Sequence, residues 1–313
     1  MLALVLLFII LSLATDKFFT INNMMNILRQ TAVNGLISAA MLVVLITAGI
    51  DLSVGANAIL CACMMGMLKT TFGITNTPVL ILVCMLTGVF VGFLNGLLLT
   101  KMHLPHPFVS TLGMKNVLCG LALLVVSTKT ISGFPDSVTF LGSSNLFKVS
   151  GGFSGVPLCF IVLILIYVVY HFFLNKTALG RMIYCVGGNP EAARLSGINS
   201  DNILIFVYSL SGLMCAIAGL VIVGRSAVAN PSAAISPYDT DAIAACIIGG
   251  ASFMGGKGTI WGTLIGALIN GLTLLNTSSS VQYIVIGLVI ITAVFIDVTR
   301  TRMEAKAKRL AAK

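Results

Sequence analysis

Residues able to carry out acid–base or metal chemistry are few in this sequence, and their spacing gives no catalytic constellation. His103 and His106 flank a proline with no acid close by in the sequence, and His171 stands alone near the end of an apolar run. The eight cysteines are scattered, mostly inside apolar runs, without a Cys-x-x-Cys pair. Neither a nucleophile with its base nor a set of metal ligands can be assembled from these positions. We therefore expect no catalytic residue and no metal site.

A short polar motif separates two strongly apolar stretches between Gly49 and Gly55. It reads Gly-Ile-Asp-Leu-Ser-Val-Gly, and its polar members are Asp51 and Ser53. A carboxylate flanked by glycines fits a broken helix in which these two side chains cap the freed backbone groups. Capping alone would explain the motif. The sharper alternative rests on the cost of an ionisable group inside a membrane, and it makes Gly49, Asp51, Ser53 and Gly55 the border of a translocation pathway.

A glycine-rich segment at 249–266 contains a Gly-Lys pair, Gly256-Lys257, which superficially suggests a phosphate-binding loop. That pattern requires glycine at position 251 and serine or threonine at position 258, where this chain has Ala251 and Gly258. The segment is therefore interpreted as a sharp turn between closely packed helices, without ATP hydrolysis. The glycines assigned to this turn are Gly249, Gly250, Gly255, Gly256 and Gly258.

A third motif predicts a short capped helix within the loop at 175–202. Asn189 is a good N-cap, and Pro190 suits the first helical position. Glu191 would face the positive end of the helix dipole, and Gly197 can adopt the left-handed conformation that ends a helix. A helix of about two turns is unstable alone in water, so it needs a surface on which to pack.

Two surfaces could support this helix: the protein's own helix ends, or a groove on a partner. In the second case Glu191 and Arg194, one turn apart, would provide polar contacts at the rim of the groove. The side chains of Ala192, Ala193 and Leu195 would provide the complementary shape.

The elements that position these motifs are apolar helices. The chain has 313 residues, of which 58% are apolar and 9% charged, and its mean hydropathy is +1.08. Soluble domains carry about 25% charged residues, so a water-soluble globule is excluded, as is a disordered chain. The net charge of +9 arises from a shortage of acids rather than from a dense basic groove, which excludes a nucleic-acid-binding domain.

Apolar runs of roughly the length of a membrane crossing recur along the whole chain. They lie near residues 2–15, 31–49, 52–70, 79–100, 107–127, 157–174, 203–224, 240–253, 260–276 and 281–297. The predicted fold class is therefore all-α: a polytopic transmembrane helix bundle of about ten spans with broken or Gly-rich helix junctions. We expect one transmembrane domain over 1–313, with the run at 2–15 as its first span.

The distribution of basic residues predicts the orientation of these spans. With an even number of crossings and both termini cytoplasmic, eleven Lys and Arg residues fall on inner segments and six on outer ones. This assignment makes 128–156 an extracytoplasmic loop, 175–202 a cytoplasmic loop and 298–313 a basic cytoplasmic tail. Binding of an anionic ligand would require several basic residues inside the spans. Transport coupled to an ion gradient would require carboxylates in the middle of the spans. Because both are scarce, a neutral, hydroxyl-rich ligand is favoured.

With these motifs in place, the chain resembles the permease subunits of bacterial ABC importers for monosaccharides. These are the ribose-type permeases of the wider ribose and branched-chain amino acid group. The resemblance covers essentially the whole length. It includes the stretches at 18–23 and 26–30, the Gly49–Gly55 motif, the loop at 187–198 and the region at 249–266.

The resemblance implies a homodimeric or heterodimeric pore in the bacterial inner membrane. Two cytoplasmic ATPase subunits would bind ATP and Mg²⁺, so no cofactor is expected on this chain, and a periplasmic or lipid-anchored sugar-binding protein would deliver the sugar. The Gly49–Gly55 segment resembles the family's broken-helix element close to the pathway. The ATPase-coupling helix would consist of Asn189, Pro190, Glu191, Ala192, Ala193, Arg194, Leu195, Ser196 and Gly197.

Other functions remain open from the sequence. A secondary transporter driven by an ion gradient would need an essential membrane carboxylate, for which Asp51 is the leading candidate. A membrane-embedded enzyme or scaffold is disfavoured because no catalytic cluster is present. Within the family the alternatives to a monosaccharide are a nucleoside, a signalling sugar or a branched-chain amino acid.

Overall fold

A computed structural model shows the fold of most of the chain. The residues it describes are 20–102, 104, 106–147, 155–274 and single positions between 284 and 303. The predicted first span at 2–15, most of the last one at 281–297 and almost all of the basic tail at 298–313 lie outside the described residues.

Helices dominate the described ranges. They are α1 (Ile21–Ile46), α2 (Val54–Phe72), α3 (Thr77–Lys101), α4 (Pro107–Val125), α5 (Asp136–Ser143), α6 (Leu158–Lys176), α7 (Ala178–Gly188), α8 (Pro190–Leu195), α9 (Ser200–Ser226), α10 (Tyr238–Ile248) and α11 (Ile260–Leu274). Six of them, namely α1 to α4, α6 and α9, are long and apolar enough to cross a membrane. The chain is therefore a polytopic helical bundle, as its hydropathy predicts. The predicted spans at 240–253 and 260–276 correspond to the shorter helices α10 and α11.

Helix α1 forms the centre of the core. Every residue from Leu36 to Ile46 is fully buried, because α6, α9, α10 and α11 pack around this part of the helix. A helix that is apolar on all sides is stable only when other helices or lipid cover it. A displacement of the end of α1 would therefore also displace the helices packed against it.

Helices α3 and α9 cross at a contact made of glycines. A Cβ atom at Gly88 would overlap the carbonyl oxygen of Gly212, and one at Gly92 would overlap that of Tyr208. The Cys84 thiol also donates a hydrogen bond to the Ala216 carbonyl at 3.3 Å. Glycines four residues apart let helix backbones approach closely in membranes, and this spacing is readable in the sequence.

The two long predicted loops contain regular structure. The segment at 128–156 holds α5, and 175–202 holds α7 as well as the predicted short helix. Two small antiparallel sheets involve the first of these loops: β1 (Ile131–Ser132) pairs with β4 (Val228–Ala229), which follows α9, and β2 (Asn145–Leu146) pairs with β3 (Val156–Pro157). After β4 a 3₁₀ helix, Pro231–Ile235, leads into α10.

Candidate functional site

The chain turns sharply between α1 and α2, where the sequence predicts a helix break. Ala48 has a φ of 59°, which is unusual for a residue with a side chain. The Gly49 amide donates to the Val44 carbonyl at 3.0 Å and closes the last turn of α1. A Cβ atom at Gly49 would lie 2.9 Å from the Tyr208 hydroxyl oxygen. Glycine is therefore needed here for close packing against α9.

Asp51 caps the first turn of α2 from inside the protein. Asp51 is 3% exposed, and its Oδ1 accepts hydrogen bonds from the Ser53 amide at 2.9 Å and the Ser53 hydroxyl at 2.6 Å. The capping role predicted for Asp51 is thus confirmed. The one predicted for Ser53 is wrong: its side chain makes no capping bond to the helix backbone. Its hydroxyl donates to Asp51 and accepts from Asn95 Nδ2 at 2.8 Å instead.

A second helix satisfies the backbone of this break. Thr111 Oγ1, on α4, donates to the Ile50 carbonyl at 3.0 Å, while Asn95 reaches the break from α3. Non-helical backbone is tolerated at membrane depth only where such internal partners exist. The segment from Gly49 to Gly55 is therefore a built polar site between α2, α3 and α4.

A second discontinuity faces this break at the start of α10. This helix has 11 residues and is about 16 Å long, half the thickness of a bilayer core. At its first turn Asp239 Oδ2 forms an ion pair with Lys115 Nζ of α4 at 2.7 Å. A Cβ atom at Gly55 would lie 2.8 Å from the Cβ of Tyr238, so the start of α2 packs closely against the start of α10.

Sequence reasoning did not predict the pairing of Lys115 with Asp239. The available signal was the presence of a single lysine in an apolar helix, because a charge inside a membrane almost always has a partner. Choosing that partner required the contact between α4 and α10, which are far apart in the sequence.

Two cavities that sequence reasoning did not anticipate lie beside α1 and the end of α9. One has a volume of about 420 Å³ and is lined by Val33, Ile222, Arg225, Ser226 and Tyr238. The other has a volume of about 550 Å³ and is lined by Asn26, Arg29, Gln30, Gly142, Ser143 and Arg225. Because both include Arg225, they are neighbours, and together they extend from the first half of α1 and the end of α5 to Tyr238. Both volumes lie within the range of small-molecule sites.

At the other end of the bundle, α8 has the predicted caps. Asn189 Oδ1 accepts from the Ala192 amide at 3.0 Å, and Pro190 is the first helical residue. Gly197 has a φ of 81°, and the Ile198 amide donates to the Ala193 carbonyl at 3.0 Å. The capped helix predicted from the sequence is confirmed.

The exposure of side chains around α8 separates an inner from an outer face. Ala193 is buried against the rest of the chain, so our expectation that it contacts a partner is wrong. Leu195 is 81% exposed. Glu191 and Arg194 form an ion pair at 3.2 Å and are both well exposed. The helix therefore uses the protein's own surface for support and leaves a large apolar side chain and a charged pair on its outer face.

The predicted Gly-rich turn packs against the helix that precedes α8. Gly250, Gly255 and Gly256 all have φ between 69° and 87°, as a sharp turn requires. Gly249 ends α10, and the Gly258 carbonyl accepts from the Tyr184 hydroxyl of α7 at 2.7 Å. Burial raises the pKa of Tyr184 above its usual value, so the phenol remains a hydrogen-bond donor.

Three segments meet at what we call the glycine junction, formed by Ile46, Gly187 and Gly256. The Gly256 amide donates to the Ile46 carbonyl, the last of α1, at 2.8 Å. A Cβ atom at Gly187 would overlap the same carbonyl oxygen. The junction therefore connects α7 and the Gly-rich turn to the end of α1, five residues before Asp51.

Comparison with known proteins assigns this arrangement to a family. The family model described as the permease component of the branched-chain amino acid transport system matches residues 23–296. The chain belongs to this permease family. Its members are transport subunits rather than enzymes, and the family implies an ATPase and a substrate-binding protein as partners.

Individual relatives are similar over most of their length. The ribose import permease protein RbsC of Escherichia coli K12 is 40% identical over 304 residues, which cover 95% of this chain and 92% of the relative. RbsC of Bacillus subtilis is 41% identical over 305 residues, with 95% and 91% covered. The fructose import permease protein FrcC of Rhizobium meliloti is 39% identical over 292 residues, with 90% and 79% covered. No solved structure matches the chain. With six apolar helices of spanning length among the described residues, the chain is a multi-pass protein of the inner membrane.

The cap at Asp51 leads to a first prediction. Asp51→Asn should fold with wild-type stability, because the amide oxygen can still accept both hydrogen bonds from Ser53. Asp51→Leu leaves two buried donors without an acceptor and should lower the free energy of unfolding by about 2–6 kcal/mol, at about 1–3 kcal/mol for each unmet group. Thermal denaturation of the purified proteins measures this difference, and substrate uptake by the same variants shows whether the carboxylate charge has another role. Loss of uptake in Asp51→Asn at an unchanged melting temperature would contradict a purely capping role.

Proposed function

We propose that this chain is the membrane-spanning subunit of a binding-protein-dependent ABC importer that carries a neutral, ribose-like monosaccharide across the bacterial inner membrane. A separate ATPase subunit would bind ATP and Mg²⁺ and supply the energy. The observation that carries this proposal is the 40% identity, over 95% of the chain, to a ribose import permease. On this proposal the chain is one transmembrane domain of about ten spans with both termini in the cytoplasm, and a second permease subunit, identical or related, completes the pore.

The outer face of α8 supports the coupling role. Leu195 extends from a rigid, doubly capped helix, and the ion pair of Glu191 with Arg194 lies beside it. An exposed leucine next to charged groups is suited to a groove on another protein, in which the apolar side chain is buried and the charges lie at the rim. The proposed coupling segment extends from Asn189 to Gly197, with Ala193 facing inward. ATPase closure would move this segment and change the populations of two conformations of the bundle.

The two facing discontinuities support the position of the translocation pathway. The break from Gly49 to Gly55, with Asp51 and Ser53, meets the first turn of α10. Substrate sites in transporters commonly lie where discontinuous helices face each other near the bilayer midplane. The ion pair of Lys115 and Asp239 has no net charge, which is compatible with a neutral sugar.

A second cargo class follows from the family description, which names branched-chain amino acids. An amino acid carries both an ammonium and a carboxylate group, so it would require separate partners for two charges. Ion coupling through Asp51 is less favoured, because this carboxylate already caps α2.

Reconstitution tests the proposed function. The chain is co-reconstituted into liposomes with the cassette ATPase and the sugar-binding protein of its own system, and uptake of labelled D-ribose and of L-leucine is measured. We expect ATP-dependent ribose uptake that requires all three components. Leucine uptake in place of ribose would overturn the cargo class. Uptake driven by a proton or sodium gradient without the ATPase would overturn the transporter class.

A further inference from the structure

The ion pair between Lys115 and Asp239 is incomplete as a structural contact. Oδ2 of Asp239 is bound by Lys115, but Oδ1 has no hydrogen-bond partner among the residues that the structure describes. The Asp239 side chain is 3% exposed and that of Lys115 is 22% exposed. An ammonium group has three donors, and for Lys115 the structure shows one of them in use. The pair thus offers a free acceptor and free donors at one place.

Because this pair lies within the membrane, its unpaired acceptor and donors carry a free-energy cost. Lys115 is the ninth of the 19 residues of α4, and Asp239 lies in the first turn of the half-length helix α10. A pair of charges in the middle of a membrane helix is expensive to desolvate, and apolar side chains could join two helices as well or better. A buried pair that still lacks one hydrogen bond therefore points to a ligand rather than to stability.

A cavity lies close to this pair, next to the start of α10. Tyr238, the neighbour of Asp239, lines the cavity of about 420 Å³. Through Arg225 this cavity adjoins the larger one of about 550 Å³. Gly55, in the first turn of α2, packs closely against Tyr238, so the pair also lies close to the break before that helix.

We propose that Lys115 and Asp239 form a transient binding site for neighbouring hydroxyl groups of a neutral sugar in the pathway. One hydroxyl oxygen accepts a hydrogen bond from Lys115 Nζ, and a second hydroxyl donates to Asp239 Oδ1. The ion pair remains intact and its net charge is zero, so the sugar binds weakly enough to leave again. This inference rests on the proposed function and adds to it the residues that contact the cargo.

An apolar double variant, Lys115→Met with Asp239→Leu, tests the site. Removing both charges together leaves no unpaired charge in the bundle, so the variant should still assemble with its ATPase. Two readouts are needed: D-ribose import by the complete system, and saturation-transfer NMR of D-ribose on the permease–ATPase complex without the binding protein. Both should fall about tenfold or more, as expected for the loss of hydrogen bonds to charged groups.

The chain offers a matched control. Lys101 and Asp201 form an exposed ion pair at 3.8 Å at the ends of two helices, and Lys101→Met with Asp201→Leu makes the same chemical changes there. This control should leave import and saturation transfer unchanged. Wild-type import and saturation transfer in Lys115→Met with Asp239→Leu would show that the pair is only structural and would overturn the inference.

A second variant keeps the test decisive if the apolar pair fails to assemble. Lys115→Arg preserves the charge, but a guanidinium pairs with both oxygens of a carboxylate and would occupy Oδ1 of Asp239. Import and saturation transfer should then fall about fivefold or more, and unchanged values would overturn the proposal. Failure of the wild-type system to import ribose would count against the proposed function itself, whereas import that tolerates these substitutions counts only against the site.

Discussion

Leu195→Glu should weaken the association of the permease with its ATPase about hundredfold or more. Burying a leucine side chain contributes about 1.5–3 kcal/mol, and placing an unpaired carboxylate in the same groove adds a desolvation penalty. Leu195 is 81% exposed in the isolated chain, so the substitution should not disturb the fold. The measurement is the dissociation constant of the detergent-solubilised permease and the ATPase.

Two further variants separate the contact from general effects of charge. Leu195→Met keeps an apolar side chain of similar size and should bind the ATPase within a few-fold of wild type. Phe147→Glu introduces the same charge at an exposed aromatic residue on the far side of the bundle and should leave association unchanged. If Leu195→Glu binds the ATPase as tightly as wild type does, α8 is not part of the interface.

The ion pair of Glu191 and Arg194 on α8 should contribute less to ATPase binding than Leu195 does. Reversing both charges, with Glu191→Arg and Arg194→Glu, should weaken ATPase binding several-fold while membrane insertion stays intact. Exposed ion pairs typically contribute up to about 1 kcal/mol, so a change of only several-fold in the dissociation constant is expected. Wild-type yield of the ATPase with this double variant would count against a role of the pair in docking.

The success of the α8 prediction shows which information is local in this sequence. Asn189, Pro190 and Gly197 specify a start and an end through bonds within a few residues, so the cap could be predicted without the fold. The orientation of the helix could not, because six residues are too few for a periodic pattern. This is why the sequence predicts a partner contact for Ala193, although this residue is buried in the chain itself.

The remaining features of the site depend on contacts between distant segments. The capping of α2 by Asp51 is local and was predicted, but the bonds from Asn95 and Thr111 come from two other helices. The pairing of Lys115 with Asp239 likewise required the tertiary arrangement. Composition predicts that such charges must find partners in a membrane, without saying which ones.

Gly187→Ala should lower sugar import about tenfold or more while the permease still binds its ATPase. The added methyl group would overlap the Ile46 carbonyl oxygen, so α7 must move away from the end of α1. Close-packed interiors do not absorb an overlap of this kind without displacement, and overpacking costs about 1–3 kcal/mol. The displacement should break the hydrogen bond from Gly256 to Ile46, and with it the connection between α8 and the break at Asp51.

The expected signature is ATP hydrolysis without transport. Because Leu195 and the rest of the outer face of α8 are unchanged, the ATPase should bind with wild-type affinity. Hydrolysis stimulated by the loaded binding protein and ribose uptake are measured in the same proteoliposomes. The number of sugars imported for each ATP hydrolysed should fall about tenfold or more if the glycine junction transmits the motion.

The neighbouring glycine provides a close control. A Cβ atom at Gly188 would meet no other atom within 4 Å, so Gly188→Ala adds the same methyl group one residue later without overlap. This variant should import at the wild-type rate. If Gly187→Ala also imports at that rate with an unchanged melting temperature, contact between α7 and the end of α1 is not the route of transmission. The motion of α8 would then have to reach the bundle through α9, which begins at Ser200, directly after the capped helix.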